Sequence, residues 1–230
     1  MTLNLDHASF SYGKHSVFND FSLCLNSDEH NPVVILGPSG CGKTSLLKMI
    51  VAQCSKADAP PVNISLVFQE PRLFPWRTVL QNVTLPVVEK LGQAEAEALS
   101  KKYLEQTGLG DKAGKYPSEL SGGERQRAAL ARAWTKLESF DDKIADSILL
   151  MDEPFQSLDI PLRIELMDIS KNLLATRKNK TLMLMVTHDP REALYLGQGT
   201  IVLGRNKIVF DSRESAQTLS EDILIQYLQD

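Results

Sequence analysis

Gly37, Pro38, Ser39, Gly40, Cys41, Gly42, Lys43 and Thr44, with Ser45 behind them, fit the spacing G-x-x-x-x-G-K-[ST]. Glycines at this spacing let consecutive backbone N–H groups turn onto phosphate oxygens. A lysine in the position of Lys43 reaches the β- and γ-phosphates, and a hydroxyl in the position of Thr44 binds Mg2+. The flanks agree with this chemistry, because the β-rich run "PVVIL" leads into the loop and the helically spaced "TSLLKMIVAQ" follows it.

Further groups sit where such a loop would use them. "SILLMDEP" is an apolar strand ending in Asp152 and Glu153. In P-loop enzymes an aspartate at such a strand end holds Mg2+, and Glu153 could polarise an attacking water as a general base. His188 follows the apolar run "TLMLMV", which delivers it to the carboxyl edge of a sheet, within reach of a γ-phosphate. His7, His15 and His30 have no such context and read as surface residues. Gln69, behind "ISLVF", is open to two readings, a ligand of Mg2+ or water and a plain surface amide. Phe74 and Trp76 in "EPRLFPW" are likewise open to core packing or to docking a partner. A second glycine turn, "LSGGERQR", opens a helix expected to start at Glu124, and a Ser-Gly-Gly turn at a helix N-terminus is a place to hold an anion. Glu124 itself puts a negative charge at that end.

These groups need an α/β frame to position them. "LNLDHASFSY" and "SVFNDFSLCL" alternate as the strands of a hairpin. "PVVILG", "SILLMDEP" and "TLMLMVTHD" read as buried strands separated by helices, which predicts a largely parallel sheet. The stretch from about Leu80 to Ala133 is helical, with the amphipathic segment "AEAEALSKKYLEQTGL" stopping near Gly108 and "ERQRAALARAWTKL" a further strong helix former, so a helical subdomain is expected between the first and second buried strands. "REALYLG" predicts a short helix and "TIVLGRNKIVFD" a hairpin. The tail "SEDILIQYLQD" predicts an amphipathic helix with Ile223, Leu224, Tyr227 and Leu228 on one face.

Composition limits the function classes. A chain of 230 residues holds one large domain or a domain with a subdomain. A formal charge of −4 gives no support to nucleic-acid binding. Three cysteines, Cys24, Cys41 and Cys54, without a CxxC pair point to a reducing compartment. Cys41 is open to reading as an oxidisable thiol or as a small side chain the loop tolerates. The N-terminus is not a signal peptide, and no apolar run approaches the ~20 residues of a membrane span. Work at a membrane would need another chain to supply the span.

The order "GPSGCGKTS", "VFQEPRLFPW", "LSGGERQR", "ILLMDEP", "SLD", "THD" resembles the ATP-binding subunit of an ABC transporter over nearly the whole chain. Within that family, "QEPRLFPWRTVLQNV" and "HDPREALYLG" look like importers of the nitrate, sulfonate and taurine type, a group that includes carriers of vitamin precursors. The resemblance implies a P-loop NTPase core with a mostly parallel sheet, an antiparallel β-subdomain and an inserted helical subdomain at roughly 78–135. It implies a single ATPase domain over 1–230 with no regulatory domain after it, and ATP and Mg2+ as cofactors. Tyr12 matches the aromatic residue that stacks on adenine, and Gly37 to Ser45 match the Walker A loop. Gln69 matches the glutamine linking the Mg2+ site to the membrane partner. Ser121, Gly122 and Gly123 match the signature motif. Asp152 and Glu153 match the Walker B acid and the catalytic base, Asp159 the acid of the D-loop, and His188 the switch histidine. The implied partners are a second copy in a head-to-tail dimer around two ATP molecules, transmembrane permease subunits and, indirectly, an extracytoplasmic binding protein. The implied location is the cytoplasmic face of the membrane.

Departures from the family pattern are local. The stretch "MIVAQCSKADAPPVNISLVFQ" is short and lacks the usual glycine, which leaves open a trimmed β-subdomain. "TKLESFDDKIADS" is longer than usual and is expected to be a solvated loop. Gln156 and Ser157 stand in a linker that often holds smaller residues. The alternative class is a soluble ABC-type ATPase acting on nucleic acid or ribosomes, but the chain carries no coiled-coil arm, zinc module or second cassette. A P-loop kinase is a third class, and it has no use for a second glycine turn.

Overall fold

The computed structural model describes residues 1–56, 60–139, 146–156, 158–177, 180–215 and 219–229. In chain order the elements are β1 (Thr2–Tyr12), β2 (His15–Asn26), β3 (Val33–Leu36), α1 (Lys43–Cys54), β4 (Val62–Val67), α2 (Val79–Thr84), α3 (Val88–Leu91) and α4 (Gln93–Gln106). They continue with α5 (Gly122–Glu138), β5 (Asp146–Asp152), α6 (Ile160–Thr176), β6 (Thr181–Thr187), α7 (Pro190–Leu196), β7 (Gly199–Leu203), β8 (Ile208–Asp211) and α8 (Glu221–Gln229). The chain divides into two compact units, Met1–Val62 with Lys180–Asp230, and Asn63–Asn179.

In the first unit four strands lie in the order β6-β3-β7-β8. β3 runs parallel to β6, with Leu36 opposite Thr187, and parallel to β7, with Val33 opposite Gly199. β8 returns antiparallel to β7. Every residue of β3 and β6 is buried, as expected for strands covered on both faces, where an unbroken apolar run replaces alternation. β1 and β2 form a separate antiparallel hairpin with several register shifts, turning at Gly13 with φ +57°. Leu3, Leu5, Phe18, Phe21, Leu23 and Leu25 are buried along it. The tail forms the expected helix: Leu224 is fully buried and Tyr227 stacks on Phe210 of β8 at 4.7 Å between ring centres.

The second unit sets β4 beside β5 and carries α2 to α6. Its helical stretch stops near Gly108, as the amphipathic segment predicts, and is also broken at Gly92, which periodicity does not show. Gly92 and Gly108 hold φ +78° and +68°, a left-handed backbone that ends helices at little cost to glycine. Short 3-10 turns at Gly110–Lys112 and Pro117–Glu119 fill the gap before α5. α5 starts at Gly122 rather than Glu124, because Ser121 caps it and both glycines of the turn enter its first turn. It runs through Glu138, so it takes in all of the helix-forming run "ERQRAALARAWTKL" and the first four residues of the segment expected as a loop. Thr135 and Leu137 are fully buried there, which supplies the apolar contact that a loop would forgo. The following residues 140–145 lie outside the described residues, as does Ser157. Among the described residues no helix is long and apolar enough to cross a membrane.

Asn82 of α2 organises the segment before it. Its side-chain oxygen accepts from the Phe74 amide at 2.7 Å, and its Nδ2 donates to the carbonyls of Phe74, Arg77 and Thr78 at 2.9–3.1 Å. The residue is fully buried, and Asn82→Ala takes its bonds from the Phe74 amide and the Arg77 carbonyl, while the Phe74 and Thr78 carbonyls keep the amides of residues 77 and 82. The expected loss is about 2–3 kcal/mol of unfolding free energy by urea denaturation. Limited proteolysis should then cut first between Phe74 and Arg77.

Candidate functional site

The candidate residues fall into two groups, one in each compact unit. In the first, the loop from Gly37 to Gly42 joins the end of β3 to α1. Gly40 and Gly42 hold φ +79° and +111°. A Cβ on Gly42 would stand 2.9 Å from the Phe18 ring, and one on Gly37 would stand 2.7 Å from both the Leu203 carbonyl oxygen and Cys41 Sγ. The glycines are thus demanded by backbone angle at one point and by close approach at another. No side chain caps the N-terminus of α1, and its first turn holds no acidic residue. Its leading amides and the positive end of its dipole therefore suit an anion. Lys43 is buried, and its ammonium donates to the carbonyls of Gly37 and Pro38 at 2.8 and 3.1 Å. Cys41 is a buried residue of the loop and is in no disulfide.

Tyr12 stands at the end of β1, about half exposed (48%). Its hydroxyl accepts a hydrogen bond from Lys48 of α1 at 2.9 Å and another from Ser45 at 3.5 Å, and Phe10 meets the ring edge-on. These bonds, that of Lys48 above all, hold the phenol below its ordinary pKa. The ring is thereby fixed beside the helix that carries the lysine loop. His188 follows β6 and is half-buried. The carbonyl of the residue before it, Thr187, accepts from the Gly37 amide at 3.2 Å. The Thr187 hydroxyl donates to the Glu192 carboxylate at 2.5 Å and accepts from the Asp189 amide at 3.1 Å. His188 and the glycine loop therefore share one anchor.

In the second unit, Asp152 closes β5 and Glu153 follows it at φ +45°. A non-glycine residue holds such a backbone at a cost of about 1 kcal/mol or more. Gln69 is exposed, and its amide donates to Gln156, which pairs the two residues across the linker noted from the sequence. Phe74 and Trp76 resolve toward the surface, 38% and 69% exposed with ring centres 5.3 Å apart. The sequence reading passed over the residues of α5 that support this segment. Gln126 donates to the Phe68 carbonyl at 3.2 Å, and Arg132 donates to the carbonyls of Pro71 and Arg72 at 2.7 and 2.9 Å. Arg72 in turn lies over the Phe68 ring at 3.8 Å. The signal available was polar side chains on an otherwise apolar helical face.

At the second glycine turn, the Ser121 hydroxyl accepts from the Glu124 amide at 3.2 Å, and the Glu124 carboxylate accepts from the Ser121 amide at 2.8 Å. This is a reciprocal capping box. Glu124 also pairs with Lys112, which together with the Ser121 amide holds its carboxyl down at about 2. Gly122 is exposed, whereas Gly123 is buried, and a Cβ on it would fall 2.0 Å from Leu162 Cδ2. Asp159 caps α6 by accepting from the Leu162 amide at 3.1 Å, so it fixes the residue that Gly123 must clear.

A strand, a glycine loop with a buried lysine and a helix with a bare N-terminus define a P-loop nucleotide-binding protein. A family profile described as "ABC transporter" matches residues 18–156, and the chain belongs to that family. It is 36% identical over 210 residues to "Aliphatic sulfonates import ATP-binding protein SsuB 1" of Paracoccus denitrificans, covering 89% of this chain and 80% of that protein. It is 39% identical over 209 residues to "Aliphatic sulfonates import ATP-binding protein SsuB 2" of Frankia alni, covering 89% and 78%. The fold matches a chain from an inward-facing metal-chelate type ABC transporter with a TM-score of 0.76 at 21% identity, over 98% of this chain and 88% of that one. The protein is thus an ATP-binding subunit of an ABC importer and an ATPase.

Two outcomes follow from the signature turn. Gly123→Ala should stay within about 1 kcal/mol of the parent by urea denaturation, because the added Cβ meets only the terminal methyl of Leu162, which can turn aside, and no backbone atom. The folded-state pKa of Glu124 lies below its ordinary value of 4.5, at about 2. Its contribution is therefore fully present above 4.5 and lost as pH falls toward 2. The stability gap between the parent and Glu124→Gln should stay constant near neutrality and close through that acid window.

Proposed function

We propose that this chain hydrolyses Mg2+·ATP as a head-to-tail dimer at the cytoplasmic face of a membrane and powers the import of a small organic anion, with sulfonates the leading class. The observation that carries the reading is the uncapped, acid-free N-terminus of α1 behind a loop that only glycines can form. Such an end offers its backbone amides to phosphate with no capping side chain to displace. The sulfonate class comes from the relatives named above. Nitrate and vitamin precursors are the other solutes considered.

In this reading Gly37 to Thr44 wrap the phosphates, and the Lys43 ammonium turns from the carbonyls of Gly37 and Pro38 to the β- and γ-phosphates. Mg2+ supplies charge neutralisation on the phosphates when bound, and Thr44, Gln69 and Asp152 would hold it. Their donors, a hydroxyl, an amide oxygen and a carboxylate, fit a hard cation that keeps several waters. Tyr12 would stack on adenine, and Ser45 would support the loop. Glu153 would accept the proton of the attacking water, His188 would contact the γ-phosphate, and Asp159 would lie at the junction between copies. Ser121 to Gly123 would face the nucleotide of the second copy. The exposed Phe74–Trp76 pair, fixed by Asn82 and Arg132, offers an apolar surface for the permease, with an extracytoplasmic binding protein selecting the solute. Action on nucleic acid or ribosomes is not favoured, since the chain is acidic overall at −4.

Glu153→Gln removes the general base while keeping the shape of the side chain. Turnover should fall by about a hundredfold or more, and ATP should drive the variant into a long-lived dimer visible by size-exclusion chromatography. ATPase activity close to that of the parent would remove Glu153 from its assigned role.

A further inference from the structure

A carboxylate beside a phosphate site is a liability, because the attraction of a helix N-terminus for an anion rests on about half a positive charge. Glu124 stands in the first turn of α5, three residues from Ser121, where its full negative charge would outweigh that half charge. The structure shows how the charge is disposed of. One carboxylate oxygen accepts from the Ser121 amide at 2.8 Å, and the other meets the ammonium of Lys112. Lys112 closes the 3-10 turn Gly110–Lys112, which precedes α5 in sequence and brings the ammonium back over the helix start. The Glu124 side chain is only 15% exposed and that of Lys112 35%, so the pair is partly shielded from solvent. The next side chain, Arg125, folds over the same end and donates to the Leu120 carbonyl. Glu119, another carboxylate of the segment, is occupied by Lys115 at 3.1 Å and by the Tyr116 amide at 2.6 Å.

We propose that Lys112 is a positioning residue of the Ser121–Gly123 turn: it holds the Glu124 carboxylate back on the capping box and cancels its charge, so that the start of α5 stays attractive to the phosphate of a second copy's nucleotide. The inference rests on the reading of this turn as phosphate-facing. It explains why an acidic residue is compatible with that role. Glutamate completes the capping box as glutamine would, and the lysine removes its electrostatic penalty.

The test is steady-state ATP hydrolysis as a function of ATP concentration. Lys112→Met exposes the Glu124 charge to the turn and should raise the KM for ATP two- to fivefold, with little change in kcat at saturation. Lys112→Arg should behave as the parent. Lys112→Met/Glu124→Gln should recover the parental KM, because glutamine keeps the cap without the charge. A purely structural role for Lys112 predicts otherwise, since the double variant would then be at least as impaired as the single one. An unchanged KM in Lys112→Met, or no recovery in the double variant, would overturn the inference. Ser121→Arg serves as the control for the underlying reading. It should abolish hydrolysis while a fluorescent ATP analogue still binds, and full turnover in that variant would overturn the phosphate-facing turn itself, whatever Lys112 does.

Discussion

The steric limit at Gly37 governs the nucleotide-binding half of the molecule. Its amide donates to the Thr187 carbonyl at 3.2 Å, and there is no room for a Cβ between the Leu203 carbonyl and Cys41 Sγ. The ends of β3, β6 and β7 meet at this one residue. The loop leaves the sheet tightly enough to turn its amides inward, and Lys43 folds under it onto the carbonyls of Gly37 and Pro38. His188 inherits its place from the same contact, because it follows the residue whose carbonyl Gly37 engages. The glycine loop and the histidine are thus tied to each other through backbone rather than through side chains.

α5 plays the corresponding part in the second unit. Ser121 caps it and Gly122 and Gly123 open its first turn, its second turn sends Gln126 to the Phe68 carbonyl, and its third sends Arg132 to Pro71 and Arg72. The segment with Gln69 at its start and the exposed Trp76 at its end is therefore hydrogen-bonded to the helix that opens at Ser121. A helix is stiff over this length, so a displacement at its N-terminus is carried to those carbonyls. Capping adds precision at both ends of the contact with α6: Ser121 and Glu124 cap one helix, Asp159 caps the other, and Gly123 and Leu162 meet between them.

Glu153 departs from the local rules that hold elsewhere. Its φ of +45° is one that a glutamate adopts only when its surroundings impose it. The neighbouring residues on β5 are completely buried, which anchors the strand up to Asp152 and leaves the turn to absorb the conformation. The carboxylate proposed as the base is thereby oriented by strained backbone rather than by side-chain rotation.

The elements whose identity depends on residues close in the chain were legible in the sequence. Unbroken apolar runs marked β3, β5 and β6, alternation marked the β1–β2 hairpin, and the motif order pointed to the family. What failed to show depended on contacts between distant segments. Periodicity reports which residues share a face but not where a glycine takes a left-handed turn inside a polar run, so the break at Gly92 was invisible, whereas the stop near Gly108 could be read from the end of an amphipathic segment. Whether Phe74 and Trp76 are core or surface could not be read from their hydrophobicity, because it depends on Asn82 and Arg132 holding the segment from outside it. The chemistry of Glu124 was likewise undetermined. Its charge is written in the sequence, but only the folded chain brings the Lys112 ammonium onto it, because a charge is neutralised by distance and shielding rather than by residue type. The sequence by itself determined the nucleotide loop, the signature turn and the acids, since each is a short run with its own backbone and charge requirements. The tertiary structure alone decided which of those charges face outward and which are cancelled.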